Sequence, residues 1–157
     1  MNNLHEDVQR WLIQENYSFN EAKTEEDNFK IIIKNVSTFG NNLEIFEPKQ
    51  QANILVIGIK VPLKNNQMVR FLKFTGNEKE NFEKKITDFC YFDLFCQFHE
   101  EGIKAINKFF DEDGKKKVGV YIVLDKKEQL NQPSFTKTLT RIMEISDKTS
   151  QFLYKAF

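Results

Sequence analysis

From Ile54 to Val61 the chain is apolar at every position except Gly58 and Lys60, and Pro62 follows directly. A continuous apolar run of this length reads as a central strand covered on both faces, and proline closes it because it cannot donate to a strand ladder. A chain holding such a strand has to build a sheet around it. Upstream, Phe29, Ile31 and Ile33 alternate with Lys30, Ile32 and Lys34, the pattern of a half-buried strand. Leu43 and Ile45, with Phe46, form another short strand that Pro48 ends. Thr38–Asn42, with Gly40, reads as a turn, and Lys49–Ala52 as the next connection. Short polar links make an antiparallel meander the simplest arrangement of these three strands. Ile103–Phe110 and Val118–Leu124 read as two further strands around an Asp113-Gly114 hairpin turn. Val118, Val120, Ile122 and Leu124 define one face of the last strand. Gly119, on the other face, marks a bulge or a close contact.

Helical spacing brackets these strands. Leu4, Val8, Trp11 and Leu12 follow the i, i+4, i+7, i+8 rule. The polar stretch Asn16–Asp27 has Tyr17 and Phe19 as anchors. Met68, Phe71 and Leu72 indicate a short helical segment, interrupted by Gly76. Asn77 with Glu80 resembles a capping box opening a longer helix, and Gly102 is placed to end it as the C′ residue. Pro133 suits the first turn of a last helix. Phe135, Leu139, Ile142, Met143 and Leu153 keep its apolar spacing, while Ser146, Thr149 and Ser150 weaken its middle. Roughly 24 residues would span about 36 Å, longer than one sheet face needs. The order α-β-β-β-α-β-β-α, with about five strands, predicts an α+β fold in which helices flank a twisted antiparallel sheet. At 157 residues the chain reads as one domain, 1–157.

The middle helix carries a surplus. Phe82, Ile86, Phe89 and Cys90 share one face, and Phe92, Phe95 and Phe98 widen the stripe until Asp88–Gln97 is apolar nearly all round. A helix covering one sheet face needs a single stripe. The excess points to a second surface: another copy of the chain, a client segment, or a further layer of the fold. Asp88 and Asp93 interrupt this run and read as its solvent edge.

Chemistry is thinly signalled. With 6 Gly there is little material for phosphate loops, and no P-loop, dinucleotide fingerprint, nucleophile elbow or zinc-protease motif occurs. Cys90, Cys96 and His99 lack the spacing and fourth ligand of a zinc site. Cys96 and His99 lack an orienting group or an oxyanion turn for nucleophilic catalysis. Both thiols read as buried in a reducing compartment, too far apart around a helix for a disulfide. No catalytic, cofactor-binding or metal-binding residue is expected. Lys plus Arg balances Asp plus Glu, 23 against 23, so nucleic acid has little electrostatic attraction to the chain. Lys115, Lys116 and Lys117 read as a solvated turn beside Asp111, Glu112 and Asp113, and most of the 16 Phe read as core. Neither a secretory apolar core nor a membrane-length run is present, which makes the cytoplasm the expected compartment.

Trp11-Leu12-Ile13, Asn28-Phe29 and Ile54-Leu55-Val56-Ile57-Gly58-Ile59, with the later hairpin and final helix in matching order, resemble a small archaeal family of unknown function (domain of unknown function 2299). That family brings no activity to transfer. The element order is also similar to that of bacterial type III secretion chaperones. That likeness implies a middle helix at a dimer interface, with Phe89, Phe92, Phe95 and Phe98 as candidate contacts.

The expectation is a non-enzymatic, cytosolic, chaperone- or adaptor-like interaction module that binds itself and a protein client. Changing Phe92 and Phe95 to Asp should then give a folded monomer. The alternative is a small-molecule-binding protein or enzyme with a pocket between sheet and last helix, built from Tyr91, His99, Tyr121 and Asp125.

Overall fold

A computed structural model describes residues 3–34 and 40–157. Of the turn expected at Thr38–Asn42, Thr38 and Phe39 lie outside them. Helix α1, Leu4–Gln14, starts where the Asn3 side chain accepts from the Glu6 N–H. Four strands follow: β1, Asn20–Glu21; β2, Asp27–Ile33; β3, Leu43–Pro48; and β4, Leu55–Pro62. Then come α2, Asn65–Leu72; α3, Gly76–Phe89; a π turn, Cys90–Leu94; and α4, Cys96–Glu100. The chain closes with β5, Lys104–Glu112; β6, Lys115–Leu124; a 3-10 turn, Lys127–Gln129; and α5, Gln132–Ala156. The sheet is antiparallel throughout, in the order β1-β2-β3-β4-β6-β5. The α+β architecture is as expected, with six strands instead of about five. The added one, β1, is two exposed residues against Ile31 and Ile32.

Register explains the core. Ile31, Ile45, Ile57, Ile122 and Ala105 form one row across five strands. All are buried on the side that α5 covers through Phe135, Leu139 and Ile142. Asn131 caps α5 and Pro133 occupies its first turn. Ser146 and Thr149 are both buried on this helix; Asn41 Nδ2 donates to Ser146 Oγ at 2.9 Å, while the Thr149 hydroxyl has no hydrogen-bond partner among the described residues.

Two expectations at the start of the middle helix change. The capping box is Thr75 with Glu78 and not Asn77 with Glu80, so Gly76 opens α3 instead of interrupting it. Gly102 does end the segment, at φ 74°: its N–H donates to His99 O, and the Ile103 N–H to Phe98 O. That double bond pattern is a Schellman motif. The middle helix itself is not continuous. Phe95 N donates to Cys90 O at 2.9 Å, a π turn that inserts one residue. Without it, helical spacing from Phe82 and Ile86 would bring Asp93 and Gln97 inward; with it, Leu94 and Phe98 enter the core. Much of the all-round apolarity is therefore a change of phase, seen as excess when a straight helix is assumed.

The hairpin is longer than expected. Asp113 and Gly114, both at positive φ, make a two-residue turn, and β6 already begins at Lys115. Lys115–Lys117 is thus strand, not a solvated turn. Lys116 is buried, its ammonium paired with Glu83 and placed over the rings of Phe71 and Phe109.

Candidate functional site

Strand alternation sends a second set of side chains to the face opposite the helices. Phe46, Val56, Phe110, Tyr121 and Val123 stand there, outside the hydrophobic core cluster. β4 is therefore not sandwiched between two layers, as its apolar run suggests. Its second face is covered by side chains of its own sheet. The Tyr121 ring lies over Gly58 and Gly119: a Cβ built on Gly58 would sit 2.0 Å from Tyr121 Cδ1, and one on Gly119 would sit 2.6 Å from Phe110 Cε2. The two glycines remove the side chains that would otherwise hold the ring off the backbone. Phe46 and Phe110 meet Tyr121 edge-on, with centroids 6.2 and 6.3 Å away, and make an aromatic stripe across β3, β6 and β5.

Charged groups frame the stripe. Lys60 Nζ lies 4.4 Å from the Phe110 centroid and donates to Glu112 Oε1 at 2.9 Å. That hydrogen bond, with the charges of Lys60 and Lys117, holds the Glu112 carboxyl below its usual range. Lys30 reaches Glu44 at 3.5 Å. Burial pushes the Tyr121 phenol up, and the carboxylates of Glu44 and Glu112 add to the shift. The result is a depression of about 360 Å³ floored by aromatic carbon and rimmed by both signs of charge.

A second feature is the edge at β5. Nine residues long, it ends the sheet, while Asn107 Nδ2 donates to Thr87 Oγ1 of α3 at 3.3 Å. One turn beyond Thr87 stand Tyr91 and Phe92, 57% and 67% exposed. The Tyr91 ring is 5.7 Å from the His99 ring, and His99 borders the same surface depression as Lys104 and Ile106. The outer edge of β5 and two exposed rings thus adjoin.

The four Phe expected at an interface part company here. Phe92 faces outward. Phe89 stacks on Phe152 of α5 at 4.1 Å. Phe95 and Phe98 are 3% and 2% exposed within this one chain, and the Arg141 guanidinium covers the Phe98 ring at 3.7 Å. Of the expected pocket residues, Tyr91 touches His99 and His99 shares a depression with Asp125, but Tyr121 stands apart from them. Tyr121 is on the open face, Tyr91 on the helical shoulder, and His99 and Asp125 at the sheet's end. The space between sheet and α5 is filled by core side chains. Cys90 is buried, its pKa pushed up to about 12 by burial, whereas Cys96 is exposed and not buried as expected. Asp88 and Asp93 are exposed. No group of three or more His, Cys, Asp or Glu could hold a metal ion among the described residues. No described helix is long and apolar enough to cross a membrane. Sequence reasoning missed the aromatic stripe. Its only signal was Gly58 and Gly119 in strands otherwise rich in branched residues.

A family model described as "Uncharacterized conserved protein (DUF2299)" matches residues 4–153. No curated protein matches the chain. Among solved structures, the chain is similar to an uncharacterized protein from Methanothermobacter thermautotrophicus, with a TM-score of 0.69 at 12% identity over 99% of both chains. At that identity the likeness speaks to the fold alone.

Proposed function

The chain belongs to the DUF2299 family of uncharacterized conserved proteins, and on that premise we propose that it is a non-enzymatic, cytoplasmic interaction module, chaperone- or adaptor-like, that works as a homodimer. The observation that carries this reading is the junction of Tyr91 and Phe92 with the β5 edge. Scattered single apolar side chains on a surface need no explanation; adjacent bare rings beside a sheet edge make a contiguous patch suited to a partner. A two-fold axis at this patch buries it on both copies at once. The dimer interface thus narrows from the four Phe to Phe92 with Tyr91 and β5. Light scattering on a size-exclusion column across a dilution series should give a mass twice the 18.6 kDa of one chain. The dimer should dissociate already at higher concentration when Phe92 is replaced by Asp. A monomer at every concentration would remove the homodimer.

The open-face depression favours a second reading, binding of a small molecule against Phe46, Tyr121 and Phe110. A compound held there at a hundredfold its Kd should stabilise the fold by about 2.7 kcal/mol in a thermal-shift screen of metabolites. Loss of that stabilisation in Tyr121→Ala, with the fold intact, would place it at this site.

A further inference from the structure

The hairpin turn decides which way the backbone of β5 points. Across a two-residue turn the flanking residues, Glu112 and Lys115, exchange both backbone hydrogen bonds. Alternation from there turns the N–H and C=O groups of Lys104, Ile106, Lys108 and Phe110 toward β6. Those of Ala105, Asn107, Phe109 and Asp111 point away from the sheet. Among the described residues no other segment hydrogen bonds to them.

The strand's charges are placed unevenly, with Lys104 at its start and Glu112 at its end. Charge on an edge strand usually repels a second strand. Here, reversing the strand beside itself matches the charges. With a two-fold axis at Lys108, Lys104 faces Glu112 of a second copy and Ile106, 42% exposed, faces Phe110. On the helix side, Ala105 faces Asp111 and Asn107 faces Phe109. Moving the axis by one residue spoils this. Centred on Asn107, Lys104 meets Phe110; centred on Phe109, Ile106 meets Glu112.

We infer that β5 pairs antiparallel with β5 of a second copy in this register, with its axis at Lys108, joining two six-stranded sheets into one of twelve. The pairing rests on the dimer reading above and specifies its geometry. It adds about eight backbone hydrogen bonds, from the four outward-pointing residues of each copy. The axis runs perpendicular to the sheet, so both sets of helices stay on one side. Tyr91 and Phe92 then flank the seam, and the two aromatic stripes lie on one continuous open face. The central pair, Lys108 against its own copy, is the one repulsive contact.

That pair supplies the test. Residues whose backbone groups face away from the new seam sit closest across it, about 4.5 Å between Cα atoms, within disulfide reach. Lys108→Cys in a Cys96→Ser background should cross-link into a covalent dimer under mild oxidation. Ile106→Cys in the same background should not, because the two copies of residue 106 lie about four residues, roughly 13 Å, apart. Replacing Lys108 with Thr should tighten the dimer up to about fivefold by removing like charges. A dimer by light scattering without a Lys108→Cys cross-link, or with Ile106→Cys linking equally well, overturns the register and leaves the dimer standing. A monomer at all concentrations overturns both.

Discussion

Replacing Gly58 with Ala is expected to destabilise the protein by about 3 kcal/mol, although the change adds one methyl group. Gly58 sits directly opposite Tyr121 in the β4–β6 pairing, and a Cβ there would lie 2.0 Å from Tyr121 Cδ1. No rotamer change at an alanine relieves that overlap. Either the ring leaves its place over Gly58 and Gly119, exposing apolar carbon and losing its contacts with Phe46 and Phe110, or the two central strands shift. The clash outweighs the roughly 0.5–1 kcal/mol that alanine normally gains over glycine in a strand interior. Urea unfolding of four proteins checks this: the parent, Gly58→Ala, Tyr121→Ala and the double variant. With the ring gone, Gly58→Ala should become neutral or stabilising, so the two sites couple by about 3 kcal/mol. Equal costs in both backgrounds would mean that the ring does not lie over Gly58.

The same pair shows what can be read from a sequence like this. Ile54–Val61 announces a buried strand, and Val118–Leu124 announces its partner's inner face, because one-dimensional apolarity and period-two alternation survive without neighbours. What covers β4 on its second face depends on register: Tyr121 becomes the lid of Gly58 only once β4 and β6 are aligned. β1 is invisible in the sequence because Asn20 and Glu21 carry no apolar signal; they form a strand only by pairing with β2. Lys115–Lys117 looked like a turn because three ammonium groups in a row are usually solvated. Lys116 instead alternates inward to Glu83, Phe71 and Phe109. The interface candidates are the least legible residues of the chain. A single inserted residue in the π turn rotates everything after Cys90, and no local sequence pattern marks it.

That rotation separates two phenylalanines that a straight helix treats alike. Phe92→Asp should leave unfolding within about 0.5 kcal/mol of the parent measured as monomer, since the side chain is 67% exposed and Asp is solvated there. Phe95→Asp should cost 4 kcal/mol or more, roughly, because it empties a site that is 3% exposed and leaves a carboxylate without a counter-charge in apolar surroundings. Against a total stability of about 5–15 kcal/mol, that removes from about a quarter to most of what holds the fold. The double change, expected from the sequence alone to give a folded monomer, should therefore carry that same loss, and any unfolding it shows would say nothing about dimerisation. Phe92→Asp by itself is the variant that separates the surfaces. It should keep the parent's denaturant midpoint at low concentration and lose mass on dilution sooner than the parent does. Should Phe95→Asp prove as stable as Phe92→Asp, Phe95 is outside the core and the rotation through the π turn is wrong.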